Sequence, residues 1–554
     1  MLRYFLFIVT ITSALPVVFA EPVQTEHWVG TNYTPAYACN QVHFWHDFRA
    51  DVVEKELAAA KKYFALNTLR VYLHPINFEQ DRENFFANLE KFLVICEKYG
   101  IKPGFTFFDD CHRHEGIFLD KPTEPVKGYH NGRWAASPQD RDRDINNLDR
   151  YKPYIQDVIA KYKNDARILW WETFNEPGMK NKWSVEMRKV AYQYAKEIAP
   201  KQPVLCCWDE SPETDIVNAH NYTIDFRHWD KQTALNPDKG CVFTEAGARW
   251  FAPKPSNGEP VEVIRWLEER KRKKLYVPGV YLCWELMVGN SNCRWYWGTP
   301  QNTPEPTLPW CGLLWSDGTP VSLAEAEAVR HYVTGESKAL FFDDFQRQNT
   351  KNTQNTQMPQ QKDRDISPRK NGNWQIYTDP QHNETATGFC GLRPHTKQVA
   401  GTAAWTDYIL ESVVMLDDSK GNAGLMFRVN DPQDGIDSFT GYYIGFDTQT
   451  LYLGKMNNRH QPPQYKELQR FDLRTLDCKV VAGVWNQIRV AVKGNNIRVW
   501  FNRMHESADK QNGLRIDYTD TDSPVLAGGI GLRTFNCSAK FDNVIAAELN
   551  GNKE

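Results

Sequence analysis

The sequence lacks an excess of charge of either sign. It holds 66 Lys and Arg residues against 69 Asp and Glu residues, a formal net charge of −3. Such a balance argues against a nucleic-acid partner, which would favour a strongly basic surface. The twelve cysteines contain no pair with the CxxC spacing of a structural zinc site. After residue 20, no apolar run is long enough to span a bilayer, which argues against an integral membrane protein.

Apolar residues make up 41% of the chain, enough for large cores, which excludes global disorder. Tryptophan is frequent among them, with 19 residues, of which 15 precede residue 336. A flat indole ring suits the C–H face of a sugar, and its N–H can reach the polar rim. Core filling is nevertheless the simpler explanation on composition alone.

Residues 1–20 have the features of a secretory signal peptide. Arg3 supplies the positive start, residues 4–18 are mostly apolar, and Val18 and Ala20 are the small residues expected before a cleavage site. The run is short and is interrupted by Pro16, which argues against a membrane helix. We therefore predict a secreted or periplasmic protein, with no membrane association after cleavage.

Residues 27–335 alternate short apolar runs with amphipathic helical segments. In one segment, Val53, Leu57, Ala60 and Phe64 recur at spacings of three and four, which places them on one helix face. Eight strand–helix units in about 310 residues predict a (β/α)8 TIM barrel, with a catalytic domain over residues 21–336. The helices after the fifth and sixth strands are expected to be short or irregular. The predicted strands are HWVGTNY near 27, LNTLRVYL near 66, KPGFTFF near 102, ILWWETFN near 168, PVLCCWD near 203, DIVNAHNY near 215, CVFTEAG near 241 and GVYLCWEL near 279.

From residue 340 onward, the pattern changes to alternating strands separated by Gly, Asn and Asp turns. Segments such as YILESVVML, AGLMFRV and QIRVAVKG predict an antiparallel β-sandwich of the jelly-roll type over residues 337–554. FFDDF at 341–345 is expected to be its first strand. Residues 346–370 are rich in Gln, Asn and Thr without an apolar period, which predicts a polar loop inside this domain.

Two carboxylates stand where a barrel carries its chemistry. Barrel enzymes place function at the carboxyl ends of their strands. The fourth predicted strand ends in Asn175-Glu176-Pro177, and the seventh ends in Thr244-Glu245. Two such carboxylates are what retaining glycosidic cleavage needs: one protonates the leaving oxygen and the other attacks the anomeric carbon. Either glutamate alone would more simply be part of a salt bridge, but the pair favours catalysis.

Further polar and aromatic residues accompany the pair at other strand ends: Arg70 in TLRVYLHP, His220 and Tyr222 in AHNY, and Trp284 in YLCWEL. With this set, in this order, residues 27–335 resemble the clan A glycoside hydrolases. These are (β/α)8 retaining enzymes that include the family 5 cellulases and mannanases. The resemblance implies a glycosidase acting on a β-linked oligo- or polysaccharide. It implies no cofactor and no metal, because the two carboxylates supply both acid and nucleophile.

The resemblance also implies a role for each matched residue. Glu176 would be the acid/base, which must carry a proton before the first step, and Glu245 would be the nucleophile. Arg70 and Tyr222 would hydrogen-bond the Glu245 carboxylate and hold it ionised and oriented. Asn175 would donate to the sugar 2-hydroxyl, a contact that strengthens in the transition state.

Two matched residues would complete the sugar site. His220 would hydrogen-bond near Glu176 or the bound sugar, and Trp284 would be the floor under the cleaved sugar. Substrate contacts are also expected from Asp110, His112 and Trp208, which follow the third and fifth strands. The loops at the mouth add three weaker candidates for packing or for sugar contact: Trp45, Trp295 and Trp297.

The second domain resembles the concanavalin-like jelly rolls of the laminin-G and levan-binding-module type. AGLMFRVND, GYYIGFD, WNQIRVAVKGNNIRVWFNR and GGIGLRTFNCSAKFDNV occur in the order found in such domains. A related exported family with this sandwich hydrolyses 3-keto-glycosides, but its active residues find no match here. The resemblance implies carbohydrate binding, with Glu411, Arg428 and Tyr443 as candidate contacts; a structural role beside the barrel is the alternative.

Two other functions compete with hydrolysis. The first is a carbohydrate-binding or adhesion protein on a decayed barrel, which predicts loss of a carboxylate or of Arg70; the sequence retains all three. The second is a transglycosylase, which would use the same residues with a sugar acceptor in place of water. The identity of the sugar, the linkage and the oligomeric state are left open by the sequence.

Overall fold

The structure is a computed structural model that describes most of the chain. The described residues are 27–111, 116–119, 121, 123–178, 182–208, 211–222, 226–235, 239–249, 260–273, 275, 277–345, 375–376, 385–386, 389–460, 462–503 and 513–549. The predicted signal peptide, the polar loop at 346–370 and His112 lie outside them. Within these ranges, no helix has the length and apolar character needed to cross a membrane.

The first part of the chain forms a closed barrel of eight parallel strands in sequential order, so the predicted barrel is confirmed. Each predicted apolar run contains one strand: β1 Trp28–Asn32, β2 Thr68–Tyr72, β3 Lys102–Asp109, β4 Trp170–Asn175, β5 Val204–Cys207, β6 Val217–Asn221, β7 Cys241–Ala246 and β8 Gly279–Leu282. The helices of this region are α1 Gln41–His46, α2 Ala50–Phe64, α3 Pro75–Gln80, α4 Arg82–Lys98, α5 Lys152–Tyr162, α6 Lys182–Glu197, α7 Phe226–Leu235, α8 Pro260–Arg272 and α9 Leu323–Thr334.

The spacing of apolar residues explains the helix packing. The residues of α2 that recur at spacings of three and four, from Val53 to Phe64, are buried, and its charged side chains, apart from buried Glu56, lie on the other face. Between β5 and β6, the described residues contain no helix, in agreement with the irregularity expected there. Two short strands, β9 Met287–Val288 and β10 Leu314–Trp315, pair within the long segment after β8.

The barrel interior changes from apolar to polar along its axis. At one level, five large side chains fill it: Trp28, Trp170, Leu205, Val242 and Tyr281. Trp170 is completely buried and donates its indole N–H to the Tyr281 hydroxyl. The next level toward the carboxyl ends of the strands is made of charged and amide side chains. A packed apolar layer below a polar one leaves the site open only at the mouth of the barrel.

The second part of the chain is an antiparallel sandwich, as predicted. One sheet has the order β13-β14-β25-β16-β21-β22-β23 with β11 added on β25, and the other has the order β12-β15-β24-β17-β18-β19-β20. Their strands are β11 Ala339–Asp343, β12 Gln375–Ile376, β13 Thr385–Ala386, β14 Phe389–Leu392, β15 Lys397–Ala400, β16 Tyr408–Leu416, β17 Asn422–Asn430, β18 Thr440–Phe446, β19 Thr450–Asn457, β20 Gln464–Asp472, β21 Trp485–Lys493, β22 Asn496–Phe501, β23 Leu514–Thr519, β24 Gly529–Phe535 and β25 Ala539–Glu548. FFDDF thus begins the sandwich.

Candidate active site

Arg70 stands at the centre of the polar layer and is completely buried. Its Nε and Nη2 donate to the two Glu172 oxygens at 2.7 and 2.9 Å. Nη1 donates to Glu245 at 2.7 Å and to Asn32 at 3.1 Å, and Nη2 also reaches Asn175 at 2.7 Å. All five N–H donors of the guanidinium are therefore used. Arg70 fixes side chains from four other positions of the barrel wall, including both predicted strand-end residues Asn175 and Glu245.

Glu172 neutralises this buried cation from the side away from the mouth. Besides the two bonds from Arg70, it accepts from Thr106 Oγ1 at 2.6 Å and from Asn218 Nδ2 at 2.5 Å. A buried carboxylate is tolerated when it is paired and its oxygens are fully hydrogen-bonded. Glu172 is completely buried, so it serves the architecture of the site and is out of reach of a substrate.

The Glu245 carboxylate is held from both of its oxygens. Oε1 accepts from Arg70 at 2.7 Å and lies 3.4 Å from the Tyr72 hydroxyl, while Oε2 accepts from the Tyr222 hydroxyl at 2.5 Å. Only 5% of Glu245 is exposed. A carboxylate with one charged and two phenolic donors is fixed in orientation and is stabilised as an anion. Its environment suits a nucleophile.

Glu176 lies across the site from Glu245. One carboxylate oxygen of Glu176 and one of Glu245 lie within 4.8 Å of each other, and a ring nitrogen of His220 is within that distance of both. Glu176 has a φ of +47°, a left-handed conformation unusual for a residue with a side chain. Such strained backbone positions cluster at functional sites. Here it lies where β4 ends and the chain turns into the mouth of the barrel.

His220 joins the two carboxylates. Its Nδ1 lies 2.8 Å from Glu176 Oε1 and 3.6 Å from Glu245 Oε2, and its Nε2 lies 3.1 Å from Thr244 Oγ1. Burial by itself lowers the pKa of His220, but the charge of Glu245, with the bond and charge of Glu176, outweighs it and raises the pKa above its ordinary value. The imidazole thus binds its proton more tightly than an ordinary histidine does, and it lies within reach of both acidic groups.

Asn175 is oriented by Asp109, the last residue of β3. Its Oδ1 faces Arg70, and its Nδ2 donates to Asp109 Oδ1 at 2.8 Å. The same Oδ1 of Asp109 also accepts from the Cys111 N–H, and Asp109 Oδ2 accepts from Trp134 Nε1 at 2.8 Å. Burial raises the pKa of Asp109 to about 7. Since one Asn175 N–H is used by Asp109, the second is the donor available to a sugar hydroxyl.

Three aromatic rings form a wall beside Glu245. Trp284 lies 5.5 Å from Tyr72 and 5.3 Å from Trp134, ring centroid to ring centroid, and all three contacts of the set are edge-to-face. Trp284 donates its indole N–H to Asn131 at 3.1 Å and is 4% exposed. Because Tyr72 also approaches Glu245, the wall adjoins this carboxylate. Its position agrees with the predicted floor for one sugar ring, a role that stays a prediction.

A second aromatic group packs around the ring of Tyr222. The Tyr222 ring stacks on Trp310 with 5.6 Å between centroids and meets Trp297 edge-on at 4.9 Å. Trp297 and its neighbour Tyr296 are 40% and 41% exposed and belong to the exposed large hydrophobic side chains of the described residues. Trp297 thus presents an exposed flat ring beside a hydrogen-bond partner of Glu245, and such a ring suits the C–H face of a sugar.

Other residues suggested by the sequence are not free to bind a sugar. Asp110 is completely buried, forms an ion pair with Arg143 at 2.5 Å and accepts from Ser184, so its expected contact with substrate is wrong. Trp45 and Trp295 are also buried, and each donates its indole N–H to a backbone carbonyl. Trp208 is half-buried, donates to the Pro177 carbonyl and meets His220 edge-on at 5.6 Å, which keeps it beside the site.

In the sandwich, the three suggested ligand contacts are buried. Arg428 is completely buried and donates to the carbonyls of Thr406 and Val525. Tyr443 donates to Asn422 and lies under the Arg533 guanidinium. Glu411 binds residues of the barrel. None of these three side chains is available to a ligand, so the expectation is wrong for each.

The sequence analysis missed Tyr72 and Trp134 as site residues, and Asp109 was only a weaker candidate for a substrate contact. Tyr72 follows Arg70 by two positions, so both point into the barrel, and the alternation of a strand could have indicated it. Asp109 ends β3 at the same edge as Asn175, with which it is paired in register. Trp134 lies in the loop after β3, and its hydrogen bond to Asp109 and its ring contacts with Tyr72 and Trp284 connect it with the site.

Glu176, His220 and Glu245 are also the grouping that could hold a cation among the residues the structure describes. Two carboxylates and an imidazole can ligate a divalent metal. The same three side chains can equally serve acid/base and nucleophilic chemistry without a metal, and that use is considered below.

The family model that matches this chain falls on its second part. Residues 369–545 match the family model of the 3-keto-alpha-glucoside-1,2-lyase-like domain, which covers less than half of the chain. No curated protein matches the chain. The match lies in the sandwich, where the sequence resembled an exported family acting on 3-keto-glycosides.

Solved structures with similarity include both barrels and sandwiches. GH5_18 from Streptomyces cattleya, in complex with GlcNAc, is 16% identical with a TM-score of 0.38 over 56% of this chain and 82% of that one. The endo-beta-1,4-mannanase from Thermotoga petrophila is 13% identical with a TM-score of 0.38 over 86% and 97%. The carbohydrate-binding module CBM66 from Bacillus subtilis is 16% identical with a TM-score of 0.25 over 32% and 95%. With TM-scores below 0.5, these likenesses carry no function to this chain.

Proposed function

We propose that this chain is an exported retaining glycoside hydrolase that cleaves β-linked glycans through Glu176 and Glu245. One observation carries the proposal: a buried pair of carboxylates at the mouth of a barrel, with oxygens within 4.8 Å of each other. Retaining enzymes place these groups about 5–5.5 Å apart, whereas inverting enzymes need about 6.5–9.5 Å to admit a water molecule. The spacing favours direct attack by one carboxylate.

The first step divides the work between the two carboxylates. Glu245 attacks the anomeric carbon while Glu176 gives its proton to the leaving oxygen, so the glycosidic bond breaks and a glycosyl ester forms. Glu245 suits the attack because Arg70 and Tyr222 hold its oxygens at 2.7 and 2.5 Å. Asn175 presents its free N–H to the sugar 2-hydroxyl, where a bond tightens as positive charge develops on the ring.

In the second step, Glu176 removes a proton from water, and the water oxygen attacks the anomeric carbon. The ester bond to Glu245 breaks, and the configuration of the product is that of the substrate. His220 lies 2.8 Å from Glu176 and is hydrogen-bonded to its carboxylate. A sugar hydroxyl in place of water would give transglycosylation with the same residues.

The intact hydrogen-bond set argues against a decayed barrel that only binds sugar. A binding protein would have no need for a guanidinium with all five donors placed on site residues. The β-preference rests on the resemblance of residues 27–335 to clan A enzymes. We propose export on residues 1–20, and N-terminal sequencing of the mature protein, expected to begin at Glu21, tests it.

The assignment is tested with wild type and two isosteric variants on a panel of aryl α- and β-glycosides and polysaccharides. Glu176→Gln and Glu245→Gln should each abolish turnover of the β-substrates while the circular dichroism spectrum and Tm stay near those of wild type. Near-wild-type activity of either variant would refute the assignment. Activity on aryl monosaccharides alone would indicate exo attack, and loss of viscosity of soluble polymers would indicate endo attack.

The stereochemistry separates the retaining from the inverting mechanism. With wild type, proton NMR of the first-formed sugar should show the β-anomer before mutarotation. With Glu245→Gly, added azide should restore turnover and give the α-glycosyl azide, because azide enters the space of the missing carboxylate. A first-formed α-anomer from a β-substrate would contradict the proposed role of Glu245.

A further inference from the structure

One face of the sandwich is covered by the barrel. On the neighbouring strands β16 and β21, alternate residues share a face: 411, 413 and 415 are paired in register with 489, 487 and 485. Met415 and Trp485 pack against Leu308 of the barrel. Glu411, Gln487 and Arg489 are 2%, 3% and 6% exposed. This patch is therefore an interface with the barrel and is closed to a glycan.

The polar members of the patch bind one segment of the barrel. Glu411 pairs with Arg489 and accepts from the Leu323 N–H at 2.8 Å, which is the first N–H of α9. A carboxylate at this position satisfies a free helix N–H and favours the positive end of the helix dipole. Arg489 donates to the Pro320 carbonyl at 2.9 Å, and Gln487 donates to the Val321 carbonyl at 2.8 Å.

A second arginine of the sandwich binds the same segment three residues earlier. Arg503 donates to Thr319 at 2.8 Å and to Asp317 at 2.7 Å. The sandwich thus holds the end of the aromatic loop, as we call residues 289–322, which connect β9 to α9. The loop contains Trp297 and Trp310, the two rings packed on Tyr222.

The other side of the loop is bound to the strand that carries the nucleophile. Arg249 follows Glu245 by four residues, is 3% exposed and forms a two-bond ion pair with Glu325 in the first turn of α9. Its Nη1 donates to the carbonyls of Pro309 and Gly312 at 3.1 and 2.9 Å, and its N–H donates to the Trp310 carbonyl. Trp310 is therefore fixed between the end of β7 and the Tyr222 ring.

These contacts form a continuous path from the sandwich, through α9 and the aromatic loop, to Tyr222 and the Glu245 carboxylate. We propose that the Glu411–Arg489 pair is a positioning device, through which the sandwich holds the aromatic loop and so orients Tyr222 and the Glu245 carboxylate. The inference rests on the proposed glycosidase activity and adds that the second domain acts on the chemical step, even with substrates too small to touch it. A targeting module would act only on polymers.

The test uses the full chain with Arg489→Met and Glu411→Gln, compared with Lys455→Met. Lys455 forms an ion pair with buried Asp520 inside the sandwich, so its variant removes a cation from the same domain away from the interface. With an aryl β-glycoside, we expect kcat of Arg489→Met to fall on the order of 10- to 100-fold with KM changed less, as for a displaced catalytic group. We expect Glu411→Gln, which keeps an oxygen for the Leu323 N–H, to lose less.

Hydrogen exchange of residues 308–325 gives a readout that is independent of turnover. It should accelerate in Arg489→Met and stay at the wild-type rate in Lys455→Met. An unchanged kcat on the aryl glycoside, an equal loss in both variants, or a loss confined to polysaccharides would overturn the inference. An inactive wild type would refute the proposed function, while the exchange rates would still decide whether the sandwich holds the loop.

Discussion

The hydroxyl of Tyr222 is the sharpest single probe of the site, because a second tyrosine on the same carboxylate provides a matched control. Tyr222→Phe deletes one oxygen and leaves the ring between Trp297 and Trp310. Tyr72→Phe deletes the corresponding oxygen on the other side of Glu245. The two hydroxyls differ in distance to the carboxylate, 2.5 Å for Tyr222 and 3.4 Å for Tyr72.

The geometry sets the size of the effect. A hydrogen bond to a charged group contributes about 1.5–3 kcal/mol, which corresponds to about 10- to 150-fold in kcat/KM if the bond is needed in the transition state. A contact of 3.4 Å is at the limit of a hydrogen bond, so Tyr72→Phe should cost less than about fivefold. Arg70 keeps its own bond to Glu245 in both variants, and the fold should survive.

The assay is steady-state kinetics on an aryl β-glycoside whose phenol is a good leaving group, together with the burst of phenol in the first turnover. Tyr222→Phe should slow the burst, since the attack by Glu245 is the step that its hydroxyl assists. A Tyr222→Phe variant within threefold of wild type, or a larger loss in Tyr72→Phe, would refute the reasoning that the shorter bond orients the nucleophile. Unchanged Tm values in both variants serve as the folding control.

Three further outcomes follow from the described contacts. Because the folded-state pKa of His220 is raised, its contribution to stability is full below the ordinary histidine pKa and is lost as the pH rises through the raised value. The difference in unfolding free energy between wild type and His220→Ala, measured with urea, should therefore be larger at pH 6 than at pH 9. A difference that grows with pH would contradict this. Trp297→Ala should raise KM for oligosaccharides about tenfold, by the loss of a stacking contact, and leave aryl monosaccharides unaffected; equal losses on both would contradict a separate subsite. Asp109→Ala should reduce the preference for 2-hydroxy over 2-deoxy aryl glycosides about fivefold in kcat/KM, since Asn175 loses its acceptor, and an unchanged preference would contradict that role.

The barrel, and the approach of Glu176 and Glu245 at its mouth, could be predicted because both depend on local periodicity. Each parallel strand is a short apolar run, and strand ends in a barrel meet at one edge whatever the distance along the chain. Glu176 and Glu245 could therefore be brought together from sequence position alone. The same logic extends to Tyr72, since residues two apart on a strand share a face.

What could not be predicted depends on which surfaces meet. The alternation in β16 and β21 indicates that Glu411 and Arg489 share a face, but nothing local indicates that a barrel loop covers that face. Asp110 was predicted to contact substrate because it follows a strand, but Arg143, 33 positions later in the chain, binds its carboxylate. Trp45 and Trp297 are equivalent in the sequence as aromatic residues in mouth loops, yet tertiary packing buries the first and leaves the second 40% exposed.

The position of His220 has a consequence for proton affinity during the catalytic cycle. In the free enzyme, the negative charge of Glu245, 3.6 Å from Nδ1, is the strongest of the influences that raise the pKa of this imidazole. In the proposed glycosyl ester that charge is gone, while burial and the positive charge of Arg70 still lower the pKa. The imidazole therefore binds its proton less tightly in the intermediate than at rest. An NMR titration of the enzyme trapped with a 2-fluoro sugar should show His220 losing its proton at a lower pH than in the free enzyme.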